Sequence, residues 1–347
     1  MKKEHILIIR FSAIGDVAMA VPVVYSLAMQ YPKLRITVLS RAFARPFFEN
    51  LAPNVSFMEA DLKHEYHGIK GLNALYRRLT AKNFTAIADL HNVLRSEFLR
   101  MRFSLDHFHV EHINKYRKGR KRLISYSHKR LEQQPTSFQK YSEVLAKLGY
   151  PVDIHFHSIF PYEGGDLSLL PDSLKQKGEK EVWIGIAPYA AHDTKVYPIE
   201  QMKQVLTMLI ERHPDARLLL FGRGEREEQT FDEWASEFSQ CVKVSSLIDN
   251  LRLELVLMSH LNVMVSMDSA NMHLASMVAT PVVSIWGATH PYAGFMGWGQ
   301  EPDSLVQVPL ACRPCSIYGN KPCKRGDLAC LTQIAPETII DKIEKYI

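Results

Sequence analysis

The sequence predicts an α/β protein made of two parallel-sheet domains, and three observations carry that prediction. Residues 6–29 read as a strand, a tight turn and a helix, the unit that usually opens a parallel sheet. Short apolar runs then alternate with helical stretches through both halves. A polar stretch bearing Pro and Gly, residues 161–180, separates the halves. At 347 residues and 46% hydrophobic, the chain is long enough to bury two cores.

In the first half, strands are predicted at 6–9, 35–39, 55–57 and 85–89, with helices at 17–29, 42–50 and 72–79 between them. A further helix at 138–148 closes this half, and Gly149 stands where a helix ends in the left-handed conformation. Strands at 182–187, 217–221, 261–266 and 282–286 make the second pattern, with helices at 199–212, after Gly224 and at 271–278. Pro198 suits the start of the 199–212 helix. The expected domains are therefore 1–165 and 181–335, joined by a linker at 166–180. A last helix, 336–347, could pack on either. Two such domains would leave a cleft between their strand ends, where ligands of parallel sheets collect. No repeat of fixed short period is present.

Composition narrows the class. Charged residues are 23% and the formal charge is +5, so the chain is neither disordered nor strongly polyanionic or polycationic. No apolar stretch approaches the ~20 residues that span a bilayer. Arg10 and Asp16 interrupt the N-terminal apolar run, which argues against a secretory signal. The expectation is a soluble cytoplasmic protein that meets a membrane, if at all, from the side.

Chemistry-bearing residues cluster at strand ends. Asp16 follows the first strand and is the first candidate for acid–base work. In the second half, Asp268 and Ser269 stand where a strand becomes a helix. The N–H groups of Ala270, Asn271 and Met272 would leave that helix start free to seat a phosphate or diphosphate, with His273 on the same face. The loop holding Thr194 and Lys195 offers a mobile cation, and the glycine-bearing loop 222–225 offers Glu225 to ribose hydroxyls. Capping and core roles explain Asp268, Ser269 and His273 equally well, and a loop lysine is often merely solvated. The chain has no Asp-x-Asp pair of the kind that grips a nucleotide-sugar through a cation, which favours neutralisation by helix dipole and lysine. On the first half, Asp89 opens a strand-end segment in which His91 and Asn92 could hydrogen-bond a polar acceptor and Arg95 could pair with an anion.

Two further clusters stand apart. Residues 115–130 are densely basic and include Arg117 and Arg120. They read as a solvated face or as a contact for a phosphorylated glycolipid, a membrane surface or, least favoured, nucleic acid. Cys312, Cys315, Cys323 and Cys330 fall within nineteen residues, and a structural zinc, a disulfide and reduced thiols are all open readings.

The run IIRFSAIGDV from Ile8, followed by Pro22, resembles the opening signature of the lipopolysaccharide heptosyltransferases, glycosyltransferase family nine. DSANMHLA from Asp268 and PVVSIWGATHP from Pro281 resemble the family's donor-site signature. Lys195 with Tyr197 and Pro198, residues 222–225, residues 89–96 and the cysteine cluster resemble further family segments in the expected order; residues 97–170 match only loosely. The resemblance implies a GT-B architecture: two Rossmann-like domains facing across a cleft. It implies a metal-independent, inverting transfer of heptose or a related sugar from an ADP-sugar to a lipopolysaccharide-core or similar glycolipid acceptor. Asp16 would then be the general base, with Ser12 and Gly15 shaping its loop. Thr194, Lys195, Ser269, Ala270 and Asn271 would hold ADP, Glu225 the ribose, with His273 supporting the diphosphate and Asp268 fixing the turn. His91, Asn92, Arg95, Arg117 and Arg120 would meet the acceptor at the cytoplasmic face of the inner membrane. No cofactor beyond the donor and no nucleic-acid partner is implied. The family often has Thr-Gly where this chain has Ser269 and Ala270, so the hydroxyl is kept and the bare backbone is not. A non-catalytic sugar-nucleotide or glycolipid binding protein on the same frame is the alternative. A nicotinamide enzyme is disfavoured by the incomplete glycine fingerprint after the first strand.

Overall fold

The computed structural model describes residues 4–347. The chain forms two compact units, one holding residues up to Lys115 together with Pro135–Ile159, the other Tyr116–Gln134 and Phe160–Ile347.

In the first unit, β1 (His5–Ile9), β2 (Arg35–Ser40), β3 (Val55–Glu59), β4 (Ala86–Asp89) and β5 (His109–His112) form an all-parallel sheet ordered β3-β2-β1-β4-β5. All five residues of β1 are buried, as a central strand covered on both faces requires. The stretch expected as one helix at 17–29 is two, Ile14–Ala18 and Val21–Gln30. Pro22 accounts for the break. It has no N–H to give, and its ring would meet the Ala18 carbonyl of a continuous helix. The turn that results leaves Asp16 in a helix of only five residues, its carbonyl braced by the Tyr141 hydroxyl at 3.0 Å. Helix Ser137–Lys147 ends in a Schellman motif. Gly149 adopts φ 91°, its N–H reaches Ala146 O, and the Tyr150 N–H reaches Leu145 O.

In the second unit, β6 (Trp183–Ala187), β7 (Arg217–Leu220), β8 (Cys241–Lys243), β9 (Val263–Met267), β10 (Val282–Ile285) and β11 (Leu305–Val306) form another parallel sheet ordered β11-β10-β9-β6-β7-β8. β9 begins two residues later than expected, so the chain turns at Asp268 itself. Helix Pro336–Ile343 buries Ile339, Ile340 and Ile343 in this unit's core beside helix Ile199–Arg212, which settles where the last helix packs. Residues 116–134, read from sequence as part of the first domain, pack with the second unit. There Leu123 joins Ala293 and Ile317 in a small separate cluster.

Candidate functional site

Each sheet has one point where strand order reverses, and crevices at such points are where open α/β sheets bind ligands. In the first unit that point lies between β1 and β4, in the second between β6 and β9. Most of the candidate residues follow the carboxyl ends of these four strands; Glu225 follows β7, and Arg117 and Arg120 follow β5.

β1 runs into Arg10, which is 7% exposed and donates from Nη1 to the Leu90 carbonyl after β4 at 2.6 Å. Its Nη2 meets Asp16 Oδ2 at 2.5 Å, and the same oxygen accepts the Ala13 N–H at 3.3 Å. Burial works against the Arg10 charge, but Tyr141 and Asp16 more than offset it and hold the guanidinium firmly protonated. Asp16 Oδ1 has no hydrogen bond among the described residues, and the side chain is 30% exposed. The carboxylate is thus fixed by one oxygen and offered by the other. Gly15 is buried inside the same helical turn.

His91 lies beside this pair. Its Nδ1 accepts the Phe11 N–H at 3.4 Å, which leaves the proton on Nε2, 3.4 Å from the Ser12 hydroxyl. Burial and then the Arg10 charge push its pKa down to about 3, so the ring is neutral at physiological pH. The fully buried Asp89 holds the turn by accepting the N–H groups of His91 and Asn92, each at 2.9 Å. Asn92 is spent on the fold. It takes a positive φ, its amide donates to Ile113 O at 3.1 Å and its oxygen accepts from Arg100. Arg95 is exposed and carries no ion pair among the described residues.

In the second unit the turn Asp193–Lys195 follows β6, and Asp268 follows β9. Lys195 Nζ lies 3.1 Å from Asp268 Oδ2, the two side chains being 13% and 7% exposed. The Thr289 hydroxyl, after β10, donates to that same oxygen at 2.7 Å. Thr194 gives its hydroxyl to Gly319 O and its carbonyl to the Ala288 N–H. Ser269 occupies the cap position of helix Ala270–Met277 but does not cap it, since its hydroxyl lies 3.2 Å from Ser266 Oγ instead. The first N–H groups of that helix, at Ala270, Asn271 and Met272, therefore keep their donors and the positive end of the dipole. His273 is buried in the same helix. Glu225, exposed at the start of helix Glu225–Glu237, has no ion pair among the described residues.

The model of glycosyltransferase family 9 (heptosyltransferase) matches residues 72–321, well over half of the chain. The chain belongs to this family. Relatives include lipooligosaccharide heptosyltransferase 2 of Campylobacter jejuni, 26% identical over 37% of this chain and 40% of the relative, so the chain matches under half the length of that protein. Lipooligosaccharide heptosyltransferase 2 of Haemophilus influenzae is 26% identical over 83% of this chain and 84% of its own. Among solved structures, the E. coli heptosyltransferase WaaC with ADP aligns over 99% of this chain and 100% of its own, at TM-score 0.67 and 17% identity. The fold is thus the two-sheet α/β GT-B fold of the heptosyltransferases.

One expectation needs correction within this family frame, and one open reading narrows. Arg120, read as an acceptor contact, is buried: it donates to the Tyr318 hydroxyl at 2.8 Å and lies 4.8 Å from the Phe295 ring centre. Its charge is committed to packing residues 116–134 onto the second unit. The four clustered cysteines are free thiols, and among the described residues no group of three or more His, Cys, Asp or Glu is placed to hold a metal. Cys330 belongs to the apolar core, where burial raises its pKa to about 11, and Cys315 Sγ faces Ala288 O. Arg313, which stands between two of them, has a structural role that the cysteine spacing does not reveal. It is 3% exposed and donates to the carbonyls of Gly287, Thr289 and Val308, bracing the loop that carries Thr289. The role of Arg10 has a weak sequence signal of its own, since a cation ending an apolar strand must find buried partners.

Proposed function

We propose that the chain transfers a heptosyl group from an ADP-heptose-type donor to a lipopolysaccharide-core acceptor, with inversion at the anomeric carbon. The observation that carries this reading is Asp16, anchored through Oδ2 and open at Oδ1 at the first unit's switch point. In the reaction, Oδ1 takes the proton of an acceptor hydroxyl as its oxygen bonds to the anomeric carbon. The bond from that carbon to the donor's diphosphate oxygen breaks, and ADP leaves. Charge grows on the diphosphate as it departs, so the open N–H groups of Ala270, Asn271 and Met272 and the ammonium of Lys195 stabilise the transition state more than the ground state. Lys195 exchanges Asp268 for the diphosphate as ADP-sugar binds. Asp268 then keeps the turn through Thr289, with Thr194 and His273 supporting the seat. Glu225 takes the ribose hydroxyls. Ser12, Gly15 and neutral His91 shape the acceptor side, with Arg95 and Arg117 meeting acceptor phosphates, while Asn92 positions the turn. None of these steps calls on a metal ion. No helix among the described residues is long and apolar enough to cross a membrane, and we place the work at the cytoplasmic face of the inner membrane, on a glycolipid reached from the side.

The test is Asp16→Ala assayed with ADP-heptose and a lipopolysaccharide-core acceptor. Turnover is expected to fall by about 10²–10⁴ while ADP binding by calorimetry is unchanged. Undiminished turnover removes the base assignment. Wild-type protein that binds ADP-heptose yet never transfers it would mark a binding protein instead.

A further inference from the structure

The chain's positive charge sits in one place. Tyr116–Gln134 contains seven Lys and Arg against a single Glu, a net +6, which exceeds the +5 of the whole protein. Within it, helix Arg117–Leu123 buries Arg120 and Leu123 and exposes Arg117, Lys118, Lys121 and Arg122. At 100° per residue the four exposed cations cover about 140° of arc opposite the two buried residues. Neither these four nor Arg130 has an ion-pair partner among the described residues, whereas the exposed Arg45 is paired with Glu59 and Arg226 with Asp193.

Two features distinguish this face from an ordinary solvated one. It is held rigidly, by Leu123 in its apolar cluster, by Lys129 Nζ donating to the carbonyls of Cys312 and Pro314 at 2.7 and 2.9 Å, and by Gln134 N–H donating to Tyr292 O at 2.8 Å. It also presents apolar tips: Tyr126 is 88% exposed with Lys324 Nζ 5.7 Å from its ring centre, and Leu131 is 54% exposed. Unpaired cations around an exposed tyrosine and leucine suit a surface that is anionic outside and hydrocarbon beneath. A polynucleotide would satisfy the cations and leave Leu131 without a gain.

We propose that Tyr116–Gln134 docks the protein on an anionic phospholipid bilayer. The inference concerns a surface of the second unit and stands whether or not the chain transfers a sugar. The full chain is mixed with vesicles of phosphatidylcholine alone, or of phosphatidylcholine with phosphatidylglycerol, and bound protein is measured by flotation. Binding is expected only to the anionic vesicles and is expected to fall as salt shortens the Debye length. The triple variant K118E, K121E, R122E should partition at least about 100-fold less. Tyr126→Ser with Leu131→Ser should weaken binding without changing its salt dependence. ADP affinity, measured on each variant, reports an intact fold and tests the functional reading separately. The proposal is overturned if the triple variant partitions like wild type or if neutral vesicles bind equally well. It is also overturned if inorganic phosphate displaces the protein at constant ionic strength, or if duplex DNA binds more tightly than the anionic vesicles at the same salt.

Discussion

The two switch points solve one problem in opposite senses. In the first unit the cation is the anchor: Arg10 is buried against the Leu90 carbonyl and Asp16 is the member offered to solvent. In the second the carboxylate is the anchor, with Asp268 at 7% exposure held by Thr289, and Lys195 is the member offered. An ion pair keeps the offered group oriented in both. The pairs differ in what they present, a carboxylate in the first unit and an ammonium in the second, which in the proposed reaction take a proton and a phosphate respectively. A reaction that deprotonates one substrate and accumulates charge on the other needs that division.

If the division is right, removing an anchor costs stability and removing an offered group costs function. Asp268→Asn strips Lys195 of its counter-charge and weakens the Thr289 contact in a nearly dry setting, so a loss of about 3 kcal/mol in urea unfolding is expected. Arg10→Met should cost less, about 1–2 kcal/mol, because the Asp16 it releases can be solvated. Equal losses would erase the contrast. Lys195→Ala should also cost some stability, because it leaves the Asp268 carboxylate at 7% exposure with the Thr289 hydroxyl alone, but its larger effect should be on ADP binding, weakened about 10–100-fold, as loss of one charge-assisted hydrogen bond does. An unaltered dissociation constant for ADP would show that the lysine belongs to Asp268 alone.

Much of this arrangement is legible in the sequence, and what escapes it shares a physical reason. Central strands such as β1 and β9 are buried on both faces and announce themselves as apolar runs. β5, β8 and β11 sit at sheet edges, span only four, three and two residues, and carry no such run. Asp16, Lys195 and Asp268 are readable because strand ends collect ligands, and their loops lie where the fold needs them. Arg10 and Arg313 are not, because what makes them important is a set of backbone carbonyls brought together from distant parts of the chain. The fate of residues 116–134 is hidden for the same reason. Basic composition is visible, but the satellite cluster of Leu123, Ala293 and Ile317 that fixes it to the second unit is a tertiary fact.

Acid, combined with a His91 variant, offers a way to probe the first switch point. Folding keeps His91 neutral with a pKa of about 3, while in the unfolded chain it titrates near its ordinary 6.5. As pH falls below 6.5 the unfolded state gains a proton that the folded state refuses, so stability present at neutral pH is lost on acidification. By pH 5 this amounts to about 2 kcal/mol for one such group. His290, lowered to about 4, and His5, also lowered, act in the same direction. Urea titrations at pH 7 and pH 5 should therefore show a drop, and His91→Asn, which can still accept the Phe11 N–H, should reduce it. An unchanged pH slope in that variant would place the sensitivity elsewhere.

The smallest expected effect is the most local. Gly319 has φ +81°, a conformation that suits glycine, and its carbonyl accepts the Thr194 hydroxyl. A Cβ there would stand 2.5 Å from Lys195 Cδ and 2.6 Å from Cγ, closer than carbon atoms tolerate. The lysine stem is flexible, so Gly319→Ala should displace Lys195 and keep the fold, with a cost of about 1 kcal/mol from the left-handed backbone. ADP binding should weaken by about three- to ten-fold, less than in Lys195→Ala, because the ammonium survives but starts from the wrong place. In the double variant Gly319→Ala, Lys195→Ala the glycine's effect on ADP binding should vanish, since there is no longer a stem to displace. Were the two losses simply to add, Gly319 would be acting through the Thr194 turn, and the lysine's position would owe nothing to the gap the glycine leaves.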